Sequence, residues 1–208
     1  MLEIIKPMDI EKRSFEIITE LLGDTKIAPE NELVVKRVIH TSADFDYAQN
    51  LVFSEGAVAK GIEALRSGCD IVTDTQMARA GINKTILGKL GGEVHCFMSD
   101  PDVAAEAKAR GITRAIVSME KAATLEKPCI FAIGNAPTAL IAIKELMEAG
   151  KLHPALIIGV PVGFVNVVES KEEIIEANLA PYIVARGRKG GSNVAAAICN
   201  AMLYQITR

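Results

Sequence analysis

Apolar and polar positions along this chain follow two rhythms. Short β-rich runs recur at Cys69 to Thr73, Glu93 to Met98, Arg114 to Ser118, Cys129 to Ile133, Leu156 to Val160 and Tyr182 to Ala185, and each predicts a strand. Between them, Gly56 to Arg66, Pro101 to Arg110, Ala136 to Glu148 and Ser192 to Gln205 are rich in Ala, Leu, Glu or Lys and predict helices. Upstream, Leu33, Val34 and Val38 predict a helix over Asn31 to Ala43, while Ile10, Ser14, Ile17, Ile18 and Leu21 share one helical stripe. Strands alternating with helices at this spacing favour parallel pairing. The strands read as continuously apolar, which is the pattern of a sheet covered on both faces. The expected fold is therefore α/β: one layered, mostly parallel sheet with helices on both faces. No internal repeat, low-complexity tract or Pro- or Ser-rich linker breaks the chain, so residues 1–208 are expected to form a single domain.

Composition narrows the function classes. A net charge of -3 with only 4% aromatic residues argues against a nucleic-acid surface, which needs an excess of Lys and Arg and usually stacking rings. Met1 to Glu11 alternates charged and apolar residues without a long apolar core, and no apolar run approaches the roughly 20 residues of a membrane span. A soluble cytoplasmic protein is expected, with no membrane partner. Cysteines 69, 96, 129 and 199 never approach a C-x-x-C spacing, which signals buried free thiols rather than a zinc ribbon or a redox pair. No motif for a protein-bound metal is present.

Proton chemistry is suggested by Arg37-Val38-Ile39-His40-Thr41-Ser42-Ala43-Asp44-Phe45-Asp46, where one of only three histidines lies among a cation, hydroxyls and carboxylates. On a helix, Arg37, His40 and Asp44 would follow one another along a single face. Histidine holds or releases a proton near neutrality with little help; an ion-paired solvated helix face is the plain alternative. Ser14 interrupts an apolar stripe, where a serine ordinarily bonds the carbonyl one turn back. His95 and His153 have no partners nearby in sequence and read as structural.

In an α/β sheet, ligands collect where strand carboxyl ends meet helix N-termini. Four such junctions carry unusual residues: Ile71 to Met77, Ile133 to Thr138, Gly159 to Phe164, and Ala185 to Asn193. In the last, glycines would let backbone amides approach a ligand, Ser192 or Asn193 could cap the next helix, and Arg186, Arg188 and Lys189 add positive charge. A carboxylate or phosphate would suit it; a basic surface loop is the alternative. Gly187, Gly190 and Gly191 lack the dinucleotide spacing, and Ala78 to Thr85 resembles a phosphate loop only at Lys84-Thr85. An enzyme with this inventory would use one acid or base, an apolar pocket and cationic clamps, which fits an isomerase better than a hydrolase.

Over nearly its full length the chain resembles the precorrin-8 methylmutase family of corrinoid biosynthesis. The resemblance rests on Glu11-Lys12-Arg13-Ser14-Phe15, Arg37-Val38-Ile39-His40-Thr41, Thr73-Asp74-Thr75, Gly134-Asn135-Ala136-Pro137-Thr138-Ala139-Leu140, Gly159-Val160-Pro161-Val162-Gly163-Phe164-Val165, Glu169-Ser170-Lys171 and Gly190-Gly191-Ser192. The fuller words His40 to Asp46 and Gly187 to Ala197 look like the anaerobic branch, which acts on cobalt-precorrin-8 rather than the metal-free ring. The resemblance implies an intramolecular methyl shift from C11 to C12 of a tetrapyrrole, giving cobyrinate, or hydrogenobyrinate in the metal-free branch. It implies His40 as the acid, Ser14 and Arg37 as substrate contacts, no cofactor beyond cobalt carried by the substrate, and a homodimer with the site near the subunit interface. Arg186, Arg188, Lys189 and Ser192 are added as candidate contacts for the acetate and propionate arms. A non-catalytic corrinoid carrier would use the same pocket without turnover.

Overall fold

The first helix described turns only part of its apolar stripe inward. The structure is a computed structural model that describes Lys6 and residues 9–207; the rest of the Met1 to Glu11 stretch and Arg208 lie outside it. In α1 (Ile10–Leu22), Ile18 and Leu22 are buried, whereas Ile10, Ile17 and Leu21 remain 52%, 37% and 66% exposed. In α2 (Glu32–Ser42), Val34, Val35, Val38 and Ile39 are all buried. This helix stops at Ala43, whose φ of 54° is left-handed and whose amide returns to the Ile39 carbonyl.

The chain continues through α3 (Tyr47–Asn50), β1 (Leu51–Phe53), α4 (Ala57–Arg66), β2 (Asp70–Thr73), α5 (Gln76–Gly81), α6 (Lys84–Lys89), β3 (Val94–His95) and α7 (Pro101–Arg110). Then come α8 (Arg114–Ala122), β4 (Cys129–Ile133), α9 (Pro137–Glu148), β5 (Leu156–Gly159), α10 (Val167–Ala177), β6 (Tyr182–Ala185) and α11 (Ser192–Thr207). The strands form one sheet in the order β1-β6-β5-β4-β2-β3, parallel except for the antiparallel edge pair of β1 and β6. Successive residues face opposite ways. Ile71, Ile130, Leu156, Ile158 and Ile183 pack with α2, α4 and α11, while Val72, Phe131, Ile133, Ile157 and Val184 pack with α8, α9 and α10. Helices thus cover both faces, and this is the expected α/β architecture. Among the described residues no helix is long and apolar enough to cross a membrane.

Two strand expectations are corrected. Arg114 to Ser118 begins α8: Thr113 caps it by accepting from the Ile116 amide, and buried Ala115, Ser118, Met119 and Ala122 recur at helical spacing. The β-branched pair Ile116-Val117 is outweighed by that cap and by Ala, Met, Glu and Lys around it. The Glu93 to Met98 run keeps only Val94–His95 in the sheet before Phe97–Ser99 turns into a 3-10 helix. The sequence pattern does not predict the edge strand β1, nor α3, α5, α6 and α10.

Because β3 lies on one side of β2 and β4 on the other, the connection between them crosses over β2. The carboxyl ends of β2 and β4 therefore flank a topological switch point, the usual crevice for ligands in such sheets.

Candidate active site

Arg37 and His40 stand one turn apart on α2, and both meet Phe15 of α1. The Phe15 and His40 ring centroids are 5.6 Å apart with a 51° tilt, and the Arg37 guanidinium lies 4.8 Å from the Phe15 centroid. On its other contact Arg37 is 5.1 Å from the ring of Tyr204, from α11. Its Nη1 and Nη2 donate to the two Glu11 carboxylate oxygens at 3.0 and 3.1 Å. This forked pair and two rings leave the Arg37 side chain 12% exposed, with Nε buried and without a partner. His40 is exposed. The site therefore has a held cation behind an open imidazole.

Asp44 leaves the helical face expected for it, because the left-handed Ala43 ends α2 first. Its carboxylate meets Lys189 instead: Lys189 Nζ is 2.6 Å from both Asp44 Oδ2 and Asp46 Oδ2. The hydrogen bond from Lys189 holds Asp44 below its ordinary carboxylate value, and the two carboxylates raise Lys189. Exposed pairs of this kind contribute little stability, but these join the glycine loop to the segment just after His40.

The other cations of that loop point to separate partners. Arg186 pairs with Glu172 at 3.2 Å, while Arg188 donates from Nη1 to the Phe164 carbonyl at 2.9 Å and lies 5.5 Å from the Phe164 ring. Ser192 Oγ is 2.7 Å from Thr75 Oγ1, which also accepts the Ala78 amide and caps α5. Ser14 donates to the Ile10 carbonyl at 2.8 Å, the ordinary back-bond of a helical serine. Arg37 and His40 are thus brought together, Lys189 is tied to the same region, and Arg186, Arg188 and Ser192 fan out around the carboxyl edge of the sheet.

Asp74 occupies the switch point. It is 1% exposed, and its carboxylate accepts the amides of Gly134, Asn135 and Ala136 at 2.8, 2.8 and 2.6 Å. Burial pushes this carboxyl above its ordinary value while the three amides pull the other way. The amides that could greet a ligand phosphate at the entry to α9 are therefore engaged by the protein's own carboxylate. Gly134 is also fixed by contact: a Cβ there would stand 2.7 Å from Ser192 Cα.

Lys171 of α10 is fully buried and donates to the carbonyls of Gly187 and Lys189, each at 2.8 Å. Desolvation brings its ammonium down from the ordinary 10.5 to about 8. Local sequence gives Lys171 no role, because a lysine flanked by Glu169, Glu172 and Glu173 looks like a solvated face, and its acceptors lie 16 and 18 residues away. Phe15 was likewise unassigned, and His95 finds a partner in Asp70 at 3.0 Å across the sheet edge. Between about pH 8 and 10.5 the unfolded chain binds a proton that the native Lys171 has released, so stability from this group rises with pH. The neutral amine still has two N–H donors for its two carbonyls. In urea titrations, the stability advantage of wild type over Lys171→Met should therefore widen from pH 7 to pH 10; a pH-independent gap would rule this out.

A covered, mostly parallel sheet with an open imidazole on one helix and Arg186, Arg188 and Lys189 just beyond the carboxyl end of β6 is the layout of an α/β enzyme. The chain belongs to the precorrin-8X methylmutase family, isomerases of cobalamin biosynthesis, whose family model matches residues 9–205. It is 48% identical to the cobalt-precorrin-8 methylmutase of Priestia megaterium, over 95% of this chain and 88% of that one. With the cobalt-precorrin-8 methylmutase of Salmonella typhimurium strain LT2 it shares 46% identity, covering 98% and 97%. The crystal structure of precorrin-8x methyl mutase from Thermus thermophilus superposes with a TM-score of 0.87 at 38% identity, covering 96% of this chain and 98% of that one.

Proposed function

We propose that this protein converts cobalt-precorrin-8 to cobyrinate by moving a methyl group from C11 to C12, with His40 as the general acid. The observation that carries this is the exposed His40 ring, backed by Phe15 and standing one turn from the half-buried Arg37–Glu11 pair. A methyl shift within one molecule requires neither a nucleophile nor a redox partner. What lowers its barrier is a proton, or a hydrogen bond, delivered to the neighbouring pyrrolic nitrogen, which redistributes the π electrons. Assistance of this kind is worth about a hundred- to ten-thousand-fold. No protein-bound cofactor enters this scheme; the cobalt belongs to the substrate.

The acetate and propionate arms call for cations, and Arg186, Arg188 and Lys189 stand on exposed positions of one loop. Arg37 would grip an arm only by exchanging Glu11 for it, and Ser14 only by releasing the Ile10 carbonyl; as they stand, the first fixes Phe15 beside His40 and the second closes a helical turn. The cobalt form is favoured because the Priestia and Salmonella relatives carry that name. A cytoplasmic homodimer completes the proposal. Exposed Ile10, Ile17 and Leu21 on α1 and Leu33 on α2 give a second copy an apolar face on the two helices that carry Phe15 and His40.

Anaerobic incubation with cobalt-precorrin-8, followed by absorption spectra and product NMR, tests the reaction, since mass alone does not report an isomerisation. Cobyrinate is the expected product, with light scattering giving twice the chain mass. Turnover only of the metal-free ring would move the protein to the other branch. Binding without conversion of either would support the carrier reading.

A further inference from the structure

The loop after β5 holds an apolar tip out into solvent. Val162, Phe164 and Val165 are 47%, 81% and 79% exposed, three apolar side chains within four residues. Single exposed apolar residues are ordinary, but a contiguous group on a fixed backbone marks a binding surface. This backbone is fixed. The Gly163 amide donates to the Arg188 carbonyl at 3.2 Å, and Arg188 Nη1 returns a bond to the Phe164 carbonyl at 2.9 Å. The Gly191 amide donates to the Val160 carbonyl at 2.8 Å, and Gly190 packs so closely that a Cβ would stand 2.1 Å from that same oxygen. Lys171, on the helix that the first loop feeds, ties down the carbonyls of Gly187 and Lys189 in the second. The two loops are a single clip, anchored from inside and presenting its apolar side chains outward.

We propose that Phe164 and Val165, held out by this clip, form the apolar face on which the corrinoid macrocycle lies, and that Arg188 is a positioning residue that fixes Phe164. The proposal rests on the methylmutase reading and adds a substrate contact to it. Charge complementarity selects the occupant: Arg188 stands at the apolar tip with its hydrogen bond going to a neutral carbonyl, and a cation beside exposed Phe164 and Val165 matches an apolar ring with carboxylates around its rim. Position does so too, because Lys189 of the same clip is bound to Asp44 and Asp46, just beyond the His40 helix.

The test uses Phe164→Ala, Phe164→Leu and Arg188→Ala in the full chain. Cobyrinate binding is followed by absorbance titration, conversion by steady-state kinetics, and assembly by light scattering. Removing a phenyl group that the bound macrocycle would take out of water should weaken cobyrinate binding and raise KM by about ten- to hundred-fold. The loss in kcat should be much smaller, leucine should restore most of the affinity, and the oligomeric state should stay as in wild type. Arg188→Ala should raise KM in the same direction. Unchanged affinity in Phe164→Ala would overturn the proposal. So would a loss of affinity accompanied by dissociation of the oligomer, which would make Phe164 an intersubunit contact. If wild type binds cobyrinate but converts no substrate, the reaction reading fails while the titration still reports on Phe164.

Discussion

His40→Ala should lower kcat by about a hundred- to ten-thousand-fold while the protein still folds and binds the corrinoid. The range follows from what a positioned acid contributes. The retention of fold follows from the environment of the side chain: His40 is exposed and its ring contact is with Phe15, so truncation opens no core cavity. Arg37, which does carry packing, remains paired with Glu11 and stacked on Phe15 and Tyr204. Anaerobic conversion followed by NMR, together with a binding titration, separates the two effects. A variant that binds and converts at the wild-type rate would take the proton away from His40. A variant that neither folds nor binds would show that the imidazole is structural, contrary to its exposure.

Much of the fold can be read from local pattern. Strands such as Cys129–Ile133 and Leu156–Gly159 are buried on both faces, so their unbroken apolar runs had little other meaning. Arg114 to Ser118 reads as a strand because a β-branched pair inside a helix looks like one until the Thr113 cap and the period of Ala115, Ser118 and Ala122 are weighed. The edge strand β1 is three residues long and gains its identity from pairing with β6, more than a hundred residues later. The candidate site divides in the same way. Arg37 and His40 are neighbours by helical arithmetic alone, whereas Asp44 joins them only on a helix that runs past Ala43. Nothing in the local sequence marks Ala43 as left-handed, since alanine is among the best helix formers. The roles of Asp74, Lys171 and Phe164 depend on partners far away in the chain, and no periodicity encodes those.

Asp74→Ala should destabilise the protein by about 3–5 kcal/mol, because each buried donor left without a partner costs about 1–3 kcal/mol. Three amides lose their acceptor. Gly134 is buried and packed against the backbone of Ser192, which bars water from replacing the carboxylate there, whereas the amides of Asn135 and Ala136 are less enclosed and recover part of their loss. Relief from burying a carboxylate offsets some of the cost and keeps the figure below the sum of three full penalties. For a chain of this length such a loss lowers Tm by about 6–20 °C. Asparagine should recover only part of it, since its single oxygen can serve Gly134 or the Asn135–Ala136 pair, while its NH2 would face a donor. Differential scanning calorimetry of the wild type and both variants gives the ranking wild type, then Asn, then Ala. An alanine variant as stable as wild type would show that water satisfies the junction. The switch-point crevice would then be open to ligands after all, and the argument that Asp74 closes it to phosphate would fail.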